Sequence, residues 1–144
     1  MPQDPPFPPV EGRSTRQKRA VWAALASVDG FVSAKTLHHR LEERGDDVAL
    51  ATVYRFLQSQ LEAGTVDSLL NPDDGEALYR ICAAQTHHHH LVCRECGIAT
   101  EFKVPEIDRL ARTVAVNEGF SETVLTFDVF GICPACQSPS NHVD

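Results

Sequence analysis

Two Cys-x-x-Cys pairs, Cys93/Cys96 and Cys133/Cys136, separated by 36 residues, constrain this chain more than any other feature. Each pair forms a turn that can aim two sulfurs at one ion, and four thiolates close a tetrahedron on zinc with no catalytic vacancy. Gly97 eases the tight backbone after the first pair. A redox dithiol usually stands as one such pair beside a thioredoxin-like pattern, so structural zinc is the expectation. A chain of 144 residues forms one domain or two small ones. Small domains bury little apolar surface, and a metal staple or a partner subunit then supplies part of their stability.

The N-terminus shows no basic region followed by an apolar stretch, and no apolar run approaches the ~20 residues that span a bilayer, so the expectation is a soluble cytoplasmic protein with no membrane partner. In a reducing compartment five cysteines favour metal ligation over disulfides, and the odd one, Cys82, needs its own explanation. The net charge of −7 is unevenly placed. Residues 1–64 hold eight Lys/Arg against eight Asp/Glu, whereas residues 65–144 hold five against twelve and carry the whole excess. Within the neutral half, Arg13, Arg16, Lys18 and Arg19 form a local basic patch, which reads either as a solvated face or as a phosphate-binding surface.

Residues 1–12 hold five prolines without periodicity and read as a disordered or extended arm. From Ser14 or Thr15 to about Ser27, Ala20, Val21, Ala24, Leu25 and Val28 recur at helical spacing before Asp29-Gly30. Ser33 is a good N-cap for a second helix reaching about Arg44, with Leu37 and Leu41 one turn apart. A third helix is predicted over 50–63, with Leu50, Val53, Leu57 and Leu61 on its apolar stripe and Gly64 closing it. Strands over 65–70 and 76–81 flank the turn signal Asn71-Pro72-Asp73-Asp74-Gly75. Three short helices and a hairpin make a winged helix over 13–82, a helix-turn-helix variant whose third helix enters the major groove of double-stranded DNA.

Residues 83–86 read as a short hinge into a small α+β domain over 87–137, and 138–144 as a flexible tail. Strands are predicted over 89–93, 98–102 and 122–130, with a helix over 105–118 between the last two. The last strand is apolar on both faces, which suggests cover by a second subunit and hence a homodimer.

His87, His88, His89 and His90 lie inside the chain, so they are not a tag. On a strand they alternate, with His88 and His90 on one face and His87 and His89 on the other, and one tract can serve two sites. The plain alternative is a solvated polar tract with incidental metal affinity. Cys82 and Asp67 on the wing favour a site, because imidazole, thiolate and carboxylate together suit zinc better than iron(II) or manganese(II).

The order of a winged helix containing Ala51-Thr52-Val53-Tyr54-Arg55, a His tract running into His90-Leu91-Val92-Cys93-x-x-Cys96-Gly97, and a final Cys133-x-x-Cys136 resembles the ferric uptake regulator family, and within it the zinc uptake regulator branch. The resemblance covers about residues 12–136. It implies a homodimeric, zinc-activated repressor, not an enzyme, that binds AT-rich inverted repeats upstream of zinc acquisition genes, with at least two Zn2+ per subunit. It further implies a regulatory site of Asp67, Cys82, His88 and His90 and a structural site of Cys93, Cys96, Cys133 and Cys136. A further family site maps to His87, His89 and Asp108, with Glu106 as a neighbouring alternative. Its remaining histidine is Leu125 here, which leaves that site incomplete, completed by water, Glu122 or His142, or absent.

On this reading Tyr54 meets a thymine methyl or base edge and Arg55 a base or phosphate, with Thr52, Gln58 and Ser59 assisting, while Arg13, Arg16 and Arg19 contact phosphate. Tyr54 could instead belong partly to the core, one turn from Leu50. Rival functions are a sensor of iron, manganese, nickel or peroxide in the same family, a zinc enzyme using Cys82 and the histidines, or a zinc store. The sequence has no His-x-Glu deaminase signature and no His-Glu-x-x-His helix.

Overall fold

The computed structural model describes residues 15–82 and 88–137. The Pro-rich arm, Arg13, the hinge, His87, the tail and His142 lie outside the described residues. Three helices come first: α1 (Thr15–Ala26), α2 (Ala34–Glu43) and α3 (Leu50–Ala63). The Ser33 hydroxyl accepts from the Thr36 N–H at 3.1 Å and caps α2. Gly64 ends α3 at φ 79°, a left-handed conformation that glycine adopts without a Cβ penalty. The three helices bury Val21, Trp22, Ala24, Leu25, Leu37, Leu41, Val53, Phe56 and Leu57 in one core. Trp22 and Phe56 meet edge to face at 6.5 Å.

The buried stripe of α3 is Val53, Phe56, Leu57 and Gln60, rather than one running through Leu50 and Leu61, which are half-buried at its margins. Gln60 is tolerated there because the Thr65 hydroxyl donates to its side-chain oxygen at 2.8 Å. Leu57 is fully buried, so Leu57→Ala is expected to lower unfolding free energy by roughly 2–5 kcal/mol. Urea denaturation measures this, and a loss below ~1 kcal/mol would mean that the site collapses around the missing atoms.

The wing is a hairpin of β2 (Val66–Leu70) and β3 (Ala77–Ile81). Its turn is held by Asn71 and Asp74 side chains that accept backbone N–H groups two residues on. A two-residue strand, β1 (Val32–Ser33), pairs with β3 and completes a three-stranded sheet. The three helices and this sheet form a winged helix.

The second region centres on β4 (His89–Cys93), flanked by antiparallel β5 (Ala99–Phe102) and parallel β6 (Asp128–Gly131), with α4 (Pro105–Asn117) in the connection. The last strand is shorter than the predicted 122–130. Its parallel register begins at His90↔Asp128, and residues 121–127 form no strand. No residue of α4 is buried.

The two regions touch along a defined seam. Gly30 bridges Ile98 in antiparallel fashion, and the Phe31 N–H donates to the Gly97 carbonyl at 2.9 Å. Phe31, Leu69 and Val92 form a small second core, with Leu78, Ala99 and Phe130 packed on it. Arg94 reaches Asp73 at the wing tip at 2.6 Å, and Arg80 meets Glu101 at 3.4 Å.

Candidate metal centres and nucleic-acid face

Both Cys-x-x-Cys turns leave the same end of the sheet because β4 and β6 are adjacent and parallel, with Cys93 opposite Gly131. The N–H of Arg94 donates to the Gly131 carbonyl at 2.8 Å and locks that register. Cys93, Cys96, Cys133 and Cys136 thus come together, every pair of sulfurs within 4.8 Å. The Sγ atoms of Cys96 and Cys133 lie 3.8 Å apart. Bonds of about 2.3 Å in a zinc tetrahedron place sulfurs about 3.8 Å apart, so the donor set fits zinc.

Burial acts to raise the pKa of the Cys93 thiol, but the backbone N–H groups of Cys96, Cys133 and Glu95, together with the Cys96 side chain, outweigh it and lower the value to about 6. Hydrogen bonding to Cys133, aided by burial, instead pushes Cys136 upward. The backbone donors thus favour the thiolate at Cys93, the form that ligates a metal.

The second cluster lies between wing and β4. Asp67 on β2 presents Oδ2 to His88 Nε2 at 2.9 Å and to His90 Nε2 at 3.1 Å. Cys82 Sγ stands 4.0 Å from His88 Nε2. The alternation of β4 puts His88 and His90 on this face and turns His89 to the other, where its Nε2 meets Asp108 Oδ1 at 3.0 Å.

Two residues that sequence reasoning missed complete the surroundings. Glu101, opposite His90 on β5, belongs to the same cluster of donors and lies 3.8 Å from His88 Nε2. Asp128 sits 3.1 Å from His90 Nδ1 and also accepts the His90 backbone N–H at 3.3 Å. A proton held on Nδ1 by Asp128 leaves the Nε2 lone pair, beside Asp67, open to ligate a metal. The β4–β5 hairpin register was the signal for Glu101; for Asp128 it was the parallel register, which a sequence does not display.

Burial tends to raise the Asp67 carboxyl, but hydrogen bonds from His90, His88 and Cys82 prevail and hold it at about 2. Burial tends to lower His90, and Asp67 and Asp128 more than offset this, so its pKa is raised. Asp67, His88, His90 and Glu101 offer two carboxylates and two imidazoles within 4.8 Å of one another, with the Cys82 thiol 4.0 Å from His88, and such a mixture of oxygen, nitrogen and nearby sulfur can hold a borderline cation such as zinc.

The further trio is not assembled among the described residues. His89 and Asp108 pair, with Phe102 and Phe127 rings 5.7 and 5.6 Å from the His89 ring. Leu125 and Asp108 line the same groove, and Glu106 and Glu122 are exposed.

On α3, Tyr54 is 40% exposed, so it is not a core residue, and Arg55, Gln58 and Ser59 are exposed beside it. Arg55 Nη2 donates to the Thr52 hydroxyl at 3.3 Å, Gln58 to Glu62 at 3.4 Å, and the Ser59 hydroxyl to the Phe56 carbonyl at 2.7 Å. Arg16 and Arg19 are exposed on α1.

A winged helix joined to a four-cysteine knuckle, with a mixed-ligand cluster at the seam, defines a class of metal-binding winged-helix proteins. The sequence profile of the Ferric uptake regulator family matches residues 10–130. The chain belongs to that family. It is 46% identical over 126 residues to the Zinc uptake regulation protein of Mycobacterium tuberculosis, covering 88% of this chain and 95% of that one. The crystal structure of FurB from M. tuberculosis, a zinc uptake regulator, matches with TM-score 0.50 at 46% identity, over 85% of this chain and 94% of that chain. A zinc uptake regulator solved with zinc and DNA matches with TM-score 0.66 at 27% identity, over 87% of this chain and 83% of that chain. No described helix is long and apolar enough to cross a membrane.

Proposed function

We propose that this chain is a zinc-responsive transcriptional repressor, not an enzyme, which binds operator DNA as a cytoplasmic homodimer and represses zinc uptake genes. The observation that carries this reading is the convergence of Asp67 from the wing with His88 and His90 from β4 at one point, with Cys82 beside them. Bound zinc would tie the wing to the second region through these four donors, while a second ion would be held by Cys93, Cys96, Cys133 and Cys136. The two sites account for two zinc ions per subunit. His87, His89 and Asp108 receive none in this proposal, since Leu125 offers no donor where the family has a histidine.

Fixing the wing fixes the attitude of α3. In a dimer that sets the separation of two recognition helices, which must match half-sites about one helical turn apart or a multiple of it. Such a two-fold reader calls for an inverted repeat, and the family resemblance implies that it is AT-rich. The dimer face we assign is that of α4 and residues 120–125. Leu110, Val114, Val116, Phe120 and Val124 are exposed there, beside an open groove of about 940 Å³. A second copy of this chain would cover that apolar surface.

Tyr54, Arg55, Gln58 and Thr52 are the base-reading candidates on α3, and Arg16 and Arg19 the phosphate contacts on α1, with Arg13 just before it. Replacing Arg16 or Arg19 by Ala is expected to weaken all sequences alike and to lower the salt slope of log K by roughly one unit. Fluorescence anisotropy across a salt series measures this, and an unchanged slope removes that residue from the interface. The function itself is tested by anisotropy of genomic fragments at buffered free zinc, iron(II) and manganese(II). Binding that rises with zinc alone supports the proposal, equal response to iron or manganese moves the chain to another branch of the family, and metal-independent binding ends it.

A further inference from the structure

The donors of the zinc-sensing cluster come from both sides of the seam, and beside them the two backbones meet directly at residues that offer no donor. Gly30 stands in the loop after α1, and a Cβ there would lie 1.8 Å from the Gly97 carbonyl oxygen. A Cβ on Gly97 would lie 2.6 Å from the Phe31 carbonyl oxygen. Backbone meets backbone at a distance only two glycines permit. Between them the Phe31 N–H donates to the Gly97 carbonyl, and Gly97 in turn donates to the Cys93 carbonyl at 3.0 Å, inside the cysteine knuckle. Phe31 is 5% exposed, and its ring meets that of His90 edge to face at 5.0 Å. His88 and His90 themselves stand edge to face at 4.8 Å.

We propose that the backbone bridge of Gly30–Phe31 on Gly97–Ile98, with Phe31 seated against His90, is a latch that assembles the regulatory ligands before the metal arrives. Gly30 and Phe31 are then positioning residues for zinc, and the four-cysteine knuckle is the platform on which the wing docks. The inference rests on assigning Asp67, Cys82, His88 and His90 as the zinc-sensing site. Its physical content is a population: where the ligands converge only in the latched arrangement, apparent zinc affinity equals intrinsic affinity multiplied by the latched fraction. The ionic contacts across the seam, Arg94–Asp73 and Arg80–Glu101, are partly or wholly solvent-exposed and screened. The bridge and the Phe31 core do not depend on salt in that way.

Gly30 is the clean site for a test. Its backbone is not in the left-handed region, whereas Gly97 sits at φ 79° and any substitution there also strains the knuckle. Gly30→Ala removes no ligand and no charge, and blocks only the approach to Gly97. Zinc(II) is titrated into the 144-residue chain, loaded at the four-cysteine site, against a chromophoric chelator. Gly30→Ala is expected to keep the knuckle zinc and to weaken the sensing site about tenfold or more, and Phe31→Leu, which keeps an apolar filler but loses the ring edge, about threefold. Amide hydrogen exchange supplies a readout independent of metal: the Phe31 N–H is protected in the wild-type chain with the sensing site empty, and exposed in Gly30→Ala.

Unchanged zinc affinity in both variants, or an unprotected Phe31 amide in the wild-type chain, overturns the latch. If Gly30→Ala loses the knuckle zinc, Phe31→Leu and the wild-type exchange pattern decide alone. Wild-type DNA binding that ignores zinc would sink the repressor assignment while leaving the comparison of zinc affinities, and so the latch, readable.

Discussion

Cys133→Ser is expected to strip zinc from the four-cysteine site and leave the chain monomeric, with the second region unfolded. That region has little else to hold it. Among the described residues its buried ones are His89, His90, Val92 and Cys93, all on β4, and α4 contributes none. Cys133 also closes the knuckle through its backbone N–H, which donates to Cys93 Sγ at 3.3 Å. Structural zinc sites supply about 10–16 kcal/mol of apparent binding free energy near neutral pH, which exceeds what a region of this size obtains from packing. Zinc content by native mass spectrometry and mass by sedimentation report the outcome together. A folded, metal-free dimer would show that the site is not structural. Loss of zinc should leave the helical signal of α1–α3 largely intact, since their core is separate.

The second large effect is expected at the cluster we propose as the zinc sensor. Cys82→Ser or His90→Ala should abolish the zinc dependence of operator binding while keeping one zinc per subunit in the knuckle. A coupling of ~1–3 kcal/mol, or 5–150-fold in affinity, is typical of such switches. Reciprocity requires DNA to tighten zinc by the same factor by which zinc tightens DNA. Anisotropy at buffered zinc, run in both directions, tests both statements, and unequal factors at equilibrium contradict the scheme.

Acid should weaken zinc binding at this cluster. Asp67, held at about 2, stays ionised throughout the useful range, whereas His90, with its pKa raised, takes up a proton at higher pH than an ordinary imidazole. Zinc requires the neutral ring, so apparent affinity falls as pH drops through the raised His90 value. In the metal-free chain the sign for stability is opposite for His90. Its ion pairs with Asp67 and Asp128 contribute fully below pH 6.5 and fade as pH rises through the raised value. The Asp67 contribution is present above pH 3.8 and lost only towards 2.

The bounds of α3 and β4 were legible because local signals agreed: helical periodicity ending at Gly64, and alternation ending at Cys93. Cysteine spacing foretold one cluster, and alternation foretold that His88 and His90 would part from His89. What sequence hid is long-range. The strand β1 exists only because β3 offers it an edge. Phe56 and Gln60 displaced Leu50 and Leu61 from the stripe because α1, α2 and β2, packed around α3, decide which face is inside. The short β6 follows from a parallel register, as does Asp128 at His90. Gly30 carries no local mark, since only the approach of Gly97 makes it necessary.

The bare outer face of α4 has a consequence beyond geometry. In the dimer we propose, this helix completes its core only against a second copy, so folding of that region and self-association are one equilibrium, and its thermal midpoint should climb with protein concentration. Copy number then becomes an input to the switch alongside zinc: a cell that dilutes the protein lowers the amount of competent repressor even when the metal supply is constant.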